Sequence, residues 1–259
     1  MSDDDQRKFD RRQALAAFGA VSLSGVLAAC GGDDDGGSGT TAVTTEDGTT
    51  ATVAPKTGSS ASGLFDDSAA CSVTPQETEG PYYFDVDSIR SDITEDRDGT
   101  PLRLAIRVRS AGGDCASIEN AVVDIWHCDA LGSYSGFESA SQGGPGGGRT
   151  DDETYLRGAQ VTNKDGIVEF RTIYPGFYRG RTTHIHAKVH VDRQTVLTSQ
   201  LYFDDDLTSK VYAGEPYSQA GERDTFNDSD GIFDERLVTT TKRDGRGYLA
   251  LMTFDVQQA

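Results

Sequence analysis

The chain has 259 residues, and its 42 acidic and 24 basic side chains give a formal net charge of −18. So acidic a protein repels nucleic-acid phosphates and anionic lipid surfaces, which argues against nucleic acid as a partner. The net charge does not distinguish between fold classes, so the fold class is predicted from the segments in chain order.

Residues 1–29 have the features of an export signal. The segment Asp10-Arg11-Arg12-Gln13 is similar to a twin-arginine signal, and small and apolar residues follow it. The stretch ends in Leu27-Ala28-Ala29-Cys30-Gly31, which resembles a bacterial lipoprotein cleavage site and implies that Cys30 becomes the lipid-modified first residue. A plain signal peptide with an incidental cysteine is the alternative. Either way we predict an exported protein of the cell envelope or extracellular face. With a lipid on Cys30, that lipid anchor is its only expected attachment to the membrane.

Residues 30–67 are mainly Gly, Ser, Thr, Asp and Ala. Such a segment buries too little apolar surface to offset its conformational entropy, so we predict a disordered tether. Residues 68–259 are then the folded domain. This domain contains Cys71, Cys115 and Cys128. An exported protein can form a disulfide, but three cysteines leave one over and the sequence does not choose the pair.

The domain is predicted to be all-β. Residues 102–108 alternate apolar and polar side chains, and residues 121–128 and 196–203 are further strands. Two β-hairpins are predicted at Asp-Gly turns. One joins residues 160–162 and 168–172 through 163–166; the other joins 237–241 and 248–254 through 242–247. No sustained helical period is present, and residues 217–228 have a loop-like composition. Strands at this spacing predict a sandwich or a barrel.

His184 and His186 lie in a further alternating segment, residues 182–191. Residues i and i+2 of a strand point to the same side, so two imidazoles project together, as a metal site requires. His-x-His is a short and common pattern, and a solvated strand face with incidental histidines is the alternative. His190 is on the same predicted face, but at roughly 13 Å from His186 it is too far away to share an ion.

Three blocks occur in order along the chain: Asp124-Ile125-Trp126 leading to Gly132-Ser133-Tyr134, then Thr172-Ile173-Tyr174-Pro175-Gly176-Phe177-Tyr178, then Arg181-Thr182-Thr183-His184-Ile185-His186. They resemble the catalytic domain of intradiol ring-cleavage dioxygenases, the family of protocatechuate and catechol dioxygenases. Gln200 and residues 78–83 match two further blocks, so the resemblance covers about residues 74–205. It implies a β-sandwich of mostly antiparallel strands with long active-site loops.

The resemblance also implies a ferric ion, Fe3+, with four protein ligands: Tyr134, Tyr178, His184 and His186. Phenolate and imidazole are donors suited to iron. Three side chains are expected to be catalytic. Tyr178 would leave the metal and accept a substrate proton, Arg181 would stabilise negative charge on the substrate, and Gln200 would orient the substrate or O2.

The implied reaction inserts both atoms of O2 into a catechol-type aromatic diol and gives a muconate-type dicarboxylic acid. The alternative is a non-catalytic module on the same fold that binds catechols or ferric-catecholate complexes. Gly180 stands where protocatechuate enzymes carry an aromatic side chain against the substrate ring. The residues therefore do not identify which catechol is cleaved, and they do not give the oligomeric state. Trp126 is expected to pack, and a supporting role for His127 stays open.

Overall fold

Ten strands and one α-helix make up the regular structure of the described residues, together with short 3-10 turns at Ser62–Leu64, Tyr217–Ala220 and Glu235–Leu237. The computed structural model describes residues 41–44, 50–53, 61–65, 71–86, 88–137 and 148–257. The predicted signal and Cys30 lie outside the described residues. No helix in the described ranges is long and apolar enough to span a membrane.

The strands form two four-stranded sheets and one separate pair. In chain order they are β1 (Thr41–Thr44), β2 (Thr50–Val53), β3 (Pro101–Ser110), β4 (Val122–Trp126), β5 (Arg157–Val161), β6 (Ile167–Ile173), β7 (His184–Val191), β8 (Gln194–Tyr202), β9 (Thr240–Asp244) and β10 (Gly247–Val256), with helix α1 (Asp205–Tyr212) after β8. The sheets have the orders β6-β3-β10-β9 and β5-β4-β7-β8, and β1 pairs with β2. Among these paired strands only β3 and β10 run parallel, which confirms a mostly antiparallel all-β fold.

The core lies between the two four-stranded sheets and follows the alternation of the strands. Ile185, Ala187 and Val189 of β7 are fully buried and belong to one cluster with apolar residues of β3, β4, β6 and β10. Because successive side chains point to opposite faces of a sheet, the histidines of β7 lie on its outer face. The β-sandwich is confirmed, and its sequence alternation separates the core from the candidate site.

The outer face of the other sheet is partly covered from within the predicted tether. Ala61 and Phe65 form a small buried cluster with Ala105 and with residues of β6 and β10. The strands β1 and β2 also fall in residues 30–67. Most of residues 30–67 lie outside the described residues, so the domain boundary at residue 68 stays a prediction. Residues 61 and 65, however, pack against the folded domain.

One predicted hairpin is wrong and the other is confirmed. The turn at residues 163–166 is present, with Gly166 at φ +72° and its N–H donating to the Asn163 carbonyl at 2.8 Å. Its flanking strands, however, join different sheets, because β5 pairs with β4 while β6 pairs with β3. The turn therefore crosses from one layer to the other. In contrast, β9 and β10 pair antiparallel around their turn, with Asp244 opposite Gly247.

The prediction of a domain without a helix is wrong at α1. Asp204 caps this helix by accepting a hydrogen bond from the Leu207 N–H at 2.8 Å. Only Thr208 and Val211 of its eight residues are buried. Two buried positions give too weak an apolar period to predict a helix from the sequence.

The cysteine pair that the sequence left open is Cys71 with Cys115, and Cys128 is a buried free thiol. The bridge joins the segment that precedes β3 to the loop that follows it. The segment tied down in this way continues into residues 77–84, which contact the candidate site described below.

Candidate metal centre

The outer face of the β5-β4-β7-β8 sheet carries aligned polar and aromatic side chains on its middle strands. His186 of β7 lies opposite Trp126 of β4 on one side and Gln200 of β8 on the other. All three side chains are buried, with at most 1% of each exposed. The segments before β3, after β4 and after β6 cover this face, which keeps a polar cluster away from solvent.

The two histidine side chains converge on one position. The Nε2 atoms of His184 and His186 are 3.1 Å apart, and the residues are 2% and 1% exposed. Burial lowers the pKa of His184 to about 3 and lowers the pKa of His186 well below its usual value. Both imidazoles are therefore neutral at pH 7, and each keeps a nitrogen lone pair that can bind a metal.

Each imidazole is oriented by a different contact. The Nδ1 of His184 is 2.7 Å from the carbonyl oxygen of Thr182, which fixes the tautomer with Nδ1–H as the donor and leaves Nε2 for a metal. The His186 ring is stacked on the indole of Trp126, with centroids 4.9 Å apart and an angle of 3° between the planes. A Cβ at Gly80 would stand 3.1 Å from His186 Cε1. His186 is thus held by its stack on Trp126, and Gly80 lies so close to the ring that a side chain there would crowd it.

Tyr134 and Tyr178 come from two loops that touch backbone to backbone. Tyr134 follows β4, Tyr178 follows β6, and the Gly176 N–H donates to the Asp129 carbonyl at 3.1 Å across the two loops. A side chain at Gly132, which has φ +88°, would collide with the Phe177 carbonyl oxygen. The glycines of the Gly-x-Tyr and Pro-Gly blocks therefore permit the approach that brings the two tyrosines together.

The two phenols lie beside the histidines. The Tyr178 hydroxyl is 3.1 Å from His184 Nε2, and the Tyr134 ring centroid is 5.7 Å from that of Tyr178 and 6.2 Å from that of His186. Burial raises the pKa of both phenols above the ordinary value. Ionisation at neutral pH therefore requires a cation that takes the place of the phenol proton.

These four side chains fit a metal ion. Two ligands at about 2.0–2.2 Å from one ion stand about 3 Å apart, which matches both 3.1 Å separations at His184 Nε2. Within the described residues there is no group of three or more His, Cys, Asp and Glu side chains that could hold a metal, so a site here requires the tyrosines. Two phenolates and two neutral imidazoles form a donor set of net charge −2 that suits a trivalent iron better than a softer ion.

Arg181 and Gln200 are brought together at the edge of this cluster. Arg181 donates from Nη2 to Gln200 Oε1 at 2.6 Å, and Gln200 donates from Nε2 to the Thr78 carbonyl at 3.0 Å. Arg181 also donates from Nε to Asp230 at 2.9 Å. The structure thus places a fixed positive charge next to the candidate ligands.

A family model described as a dioxygenase matches residues 78–219, more than half of the chain. The solved structure of an intradiol ring-cleavage dioxygenase from Tetranychus urticae is 32% identical to this chain, with a TM-score of 0.68 over 72% of this chain and 95% of that one. The chain belongs to the intradiol dioxygenase family.

Two further similar proteins are also named as dioxygenases. The dioxygenase domain of a dioxygenase and carbohydrate-binding protein fusion from Streptomyces sp. SirexAA-E is 31% identical, covers 73% of this chain and 100% of that one, and has a TM-score of 0.53. Catechol 1,2-dioxygenase 1 from Acinetobacter lwoffii is 31% identical over 156 residues, which are 51% of this chain and 47% of that protein. The chain spans about half the length of the curated relatives it matches.

All six side chains that the family resemblance indicated at the site, Tyr134, Tyr178, Arg181, His184, His186 and Gln200, lie in this one cluster. His127 stands apart. Its Nδ1 bonds to the Cys128 carbonyl at 2.8 Å and its Nε2 to the Thr172 hydroxyl at 2.7 Å, so both ring nitrogens serve the packing of the loops. His190 bonds to Thr195 farther along the sheet.

Some side chains at the site were not indicated by sequence reasoning. Tyr82 stacks on Tyr134 with centroids 4.6 Å apart and meets Tyr178 edge-on at 6.0 Å. Tyr82 lies in the matched segment 78–83, but no pattern in the sequence indicates its contact with the two tyrosines. Asp230 lies outside the matched residues 78–219 and in no recognised block, so only the folded chain identifies it.

Proposed function

We propose that this intradiol dioxygenase family member is an iron(III)-dependent enzyme. It would insert both atoms of O2 into a catechol-type diol and release a muconate-type dicarboxylic acid. The observation that carries the proposal is the convergence of two neutral imidazoles and two phenols on one position. Members named as catechol 1,2-dioxygenase and chlorocatechol 1,2-dioxygenase support the substrate class.

A bound ferric ion would supply the electron-accepting centre at which a catechol reacts with dioxygen. The chain would hold it through Tyr134, Tyr178, His184 and His186. The two imidazoles contribute no charge, and the two phenolates leave a site of net charge +1, which attracts an anionic catecholate.

The two tyrosines differ in exposure, which supports different roles. Tyr134 is fully buried, while Tyr178 is only partly buried and lies on the loop just before Arg181. Tyr178 is therefore the phenol with room to move, and its Oη is the atom that would accept a proton from an incoming catechol. Tyr134, packed under Tyr82, would keep its place.

Arg181 would stabilise negative charge that develops on the substrate. A guanidinium stays protonated at any relevant pH, and hydrogen bonds from two of its nitrogens fix its direction. Gln200 would act beside it, with its amide already oriented by Thr78. Tyr82 packs on the rings of Tyr134 and Tyr178 and would help to keep water away from them.

The test is spectroscopic and chemical. The full chain loaded with iron should show a visible phenolate-to-iron charge-transfer band, and it should consume O2 with members of a panel of catechol, hydroxyquinol, protocatechuate and alkylated catechols. With labelled dioxygen, mass spectrometry should find both labelled atoms in one diacid product. Tyr134→Phe should lose the band and the turnover, because it removes one anionic ligand.

Tyr248→Phe is the matched control, since Tyr248 lies on β10 in the other sheet. It should keep both the band and the turnover. A protein that stays colourless after incubation with iron would contradict the proposal. A coloured protein that binds catechols without consuming O2 would instead indicate the binding module.

We also propose that the protein is exported and anchored through a lipid on Cys30, with residues 1–29 as its signal and residues 30–67 as a tether. The Cys71–Cys115 bridge supports this location, because structural disulfides persist in oxidising compartments. In a bacterial host the protein should fractionate with membranes, and Cys30→Ala should release it. Equal membrane association of both forms would count against the anchor.

A further inference from the structure

A loop that lies outside the matched family residues reaches the candidate site with a carboxylate. Asp230 follows helix α1 and precedes β9, and its side chain is 1% exposed although the loop around it is largely at the surface. Such a buried carboxylate needs compensating partners. The charge of Asp230 is met by Arg181, the residue expected to face the substrate.

The carboxylate of Asp230 accepts three hydrogen bonds. Its Oδ2 accepts from Arg181 Nε at 2.9 Å and from the Thr182 backbone N–H at 2.9 Å, and its Oδ1 accepts from the Ile232 N–H at 2.9 Å. Burial favours the neutral acid, but the Ile232 and Thr182 N–H groups and the Arg181 guanidinium outweigh burial and lower the pKa of Asp230. The carboxylate is ionised at pH 7 and stays bound to Arg181.

These contacts leave one end of the guanidinium for another acceptor. Nε binds Asp230, Nη2 binds Gln200, and Nη1 makes no hydrogen bond to any described residue. Gln200 is itself fixed, because its Nε2 donates to the Thr78 carbonyl at 3.0 Å. A guanidinium held from two sides in this way points its third nitrogen in one direction.

We propose that Asp230 is a positioning residue that orients the Arg181 guanidinium toward the substrate. The proposal rests on the proposed function for its effect on turnover. Asp230 does not contact the candidate ligands itself. It acts through Arg181, and its second bond, to the Thr182 N–H, also fixes the backbone that leads into His184.

The first test is a double-mutant cycle on the iron-loaded enzyme. Asp230→Asn keeps the size of the side chain but removes its charge, and it should lower kcat by about tenfold or more with a much smaller change in KM. In an Arg181→Ala background the same substitution should cause no further loss, because its effect passes through the arginine. The charge-transfer band should stay unchanged in Asp230→Asn.

Asp234→Asn is the matched control. Asp234 lies in the same loop but pairs with Arg236 at the surface, and its substitution should leave kcat unchanged. A merely structural role for Asp230 would lower the melting temperature and leave kcat intact, and this result would overturn the proposal. So would an equal loss of kcat with and without Arg181.

The second test does not need turnover. In nitrogen-15 spectra of the metal-free chain, the Nε–H of a hydrogen-bonded, buried arginine exchanges slowly with water. Arg181→Lys should identify this signal by its disappearance, and Asp230→Asn should broaden or remove it while Asp234→Asn leaves it in place. A signal that is unchanged in Asp230→Asn would overturn the positioning role. Loss of the signal in a protein without O2 consumption would reject the proposed function but retain the contact.

Discussion

The two histidines and the two tyrosines of the candidate metal centre are held in different ways. His184 and His186 are two residues apart on one strand, and their spacing is set by the pleat of a sheet whose other face is the protein core. Tyr134 and Tyr178 lie on separate loops that meet only because glycines allow the two backbones to touch. The histidine side is therefore fixed before a metal binds, whereas the tyrosine side depends on loop contact.

The difference fits the roles proposed for the two histidines and for Tyr178. Ligands that stay bound through a reaction benefit from a rigid element. A ligand that leaves the metal and takes a proton must be able to move, and Tyr178 is partly exposed on the shorter of the two loops. Three substitutions, each on one side of the site only, test this difference.

The largest effect is expected from Gly132→Ala on the tyrosine side. The new Cβ would collide with the Phe177 carbonyl at a positive φ, which we expect to cost on the order of 3 kcal/mol and to push the loops apart. Iron titration followed by the visible band should show weak or absent binding. Gly113→Ala is the control, because Gly113 has φ +61° but no atom near its would-be Cβ, so it carries the backbone strain without the collision. Normal iron binding in Gly132→Ala would mean that the tyrosine side does not depend on loop contact.

A smaller effect is expected from Asp124→Asn beside the histidine strand. Asp124 of β4 lies opposite Lys188 of β7, and burial raises its pKa to about 7. Between about pH 4 and pH 7 the unfolded chain loses this proton while the folded chain keeps it, so the stability of the wild type falls through that window and then levels off. Across this window the free energy of unfolding of the wild type should fall by a few kcal/mol at most.

The measurement is urea unfolding of the metal-free protein from pH 5 to pH 8. Asp124→Asn should show a flatter dependence on pH than the wild type. Asp165→Asn, at an exposed turn beside Lys164, should leave the wild-type dependence unchanged. Parallel curves for the wild type and Asp124→Asn would refute the role given to Asp124.

The smallest effect is expected from Trp126→Phe. A smaller ring keeps part of the stack on His186, and since such pairs contribute about 0.5–1.5 kcal/mol, we expect iron affinity to fall by about threefold to tenfold. Competition with a chelator measures this change, with Tyr248→Phe as the control. An unchanged affinity would show that the strand alone orients His186 and would sharpen the contrast with the tyrosine loops.

The candidate ligands could be located from the sequence because they lie in short blocks whose local structure is simple. The alternation around His184 and His186 predicted their strand and common face, and the blocks around Tyr134 and Tyr178 include the glycines that their loops need. The contacts of these residues depend on chain segments that have no such pattern. Asp230, in an irregular loop, is brought to Arg181 only by the folding of the whole domain.

The predictions that the structure overturns or completes also concern contacts between segments that are distant in the sequence. Turn chemistry is local, so the turn at residues 163–166 was predicted, but whether β5 and β6 share a sheet depends on which layers bury their apolar faces. Helix α1 is specified mostly by its Asp204 cap and has few buried positions. The pairing of Cys71 with Cys115 requires the two loops to be neighbours in space, which the spacing of three cysteines cannot reveal.

The parallel ladder between β3 and β10 determines when the protein can fold. It pairs residue 102 with residue 248. Until β10 has been synthesised, β3 can therefore pair only with β6, on one of its two edges. Contacts between such distant residues are slow to form, and until they do β3 presents an unpaired edge. A nascent chain that stops before β10 would keep that edge exposed and prone to aggregation. This ladder can therefore close only after β10 has been synthesised, and the interval before it closes is the period in which a chaperone has most to protect.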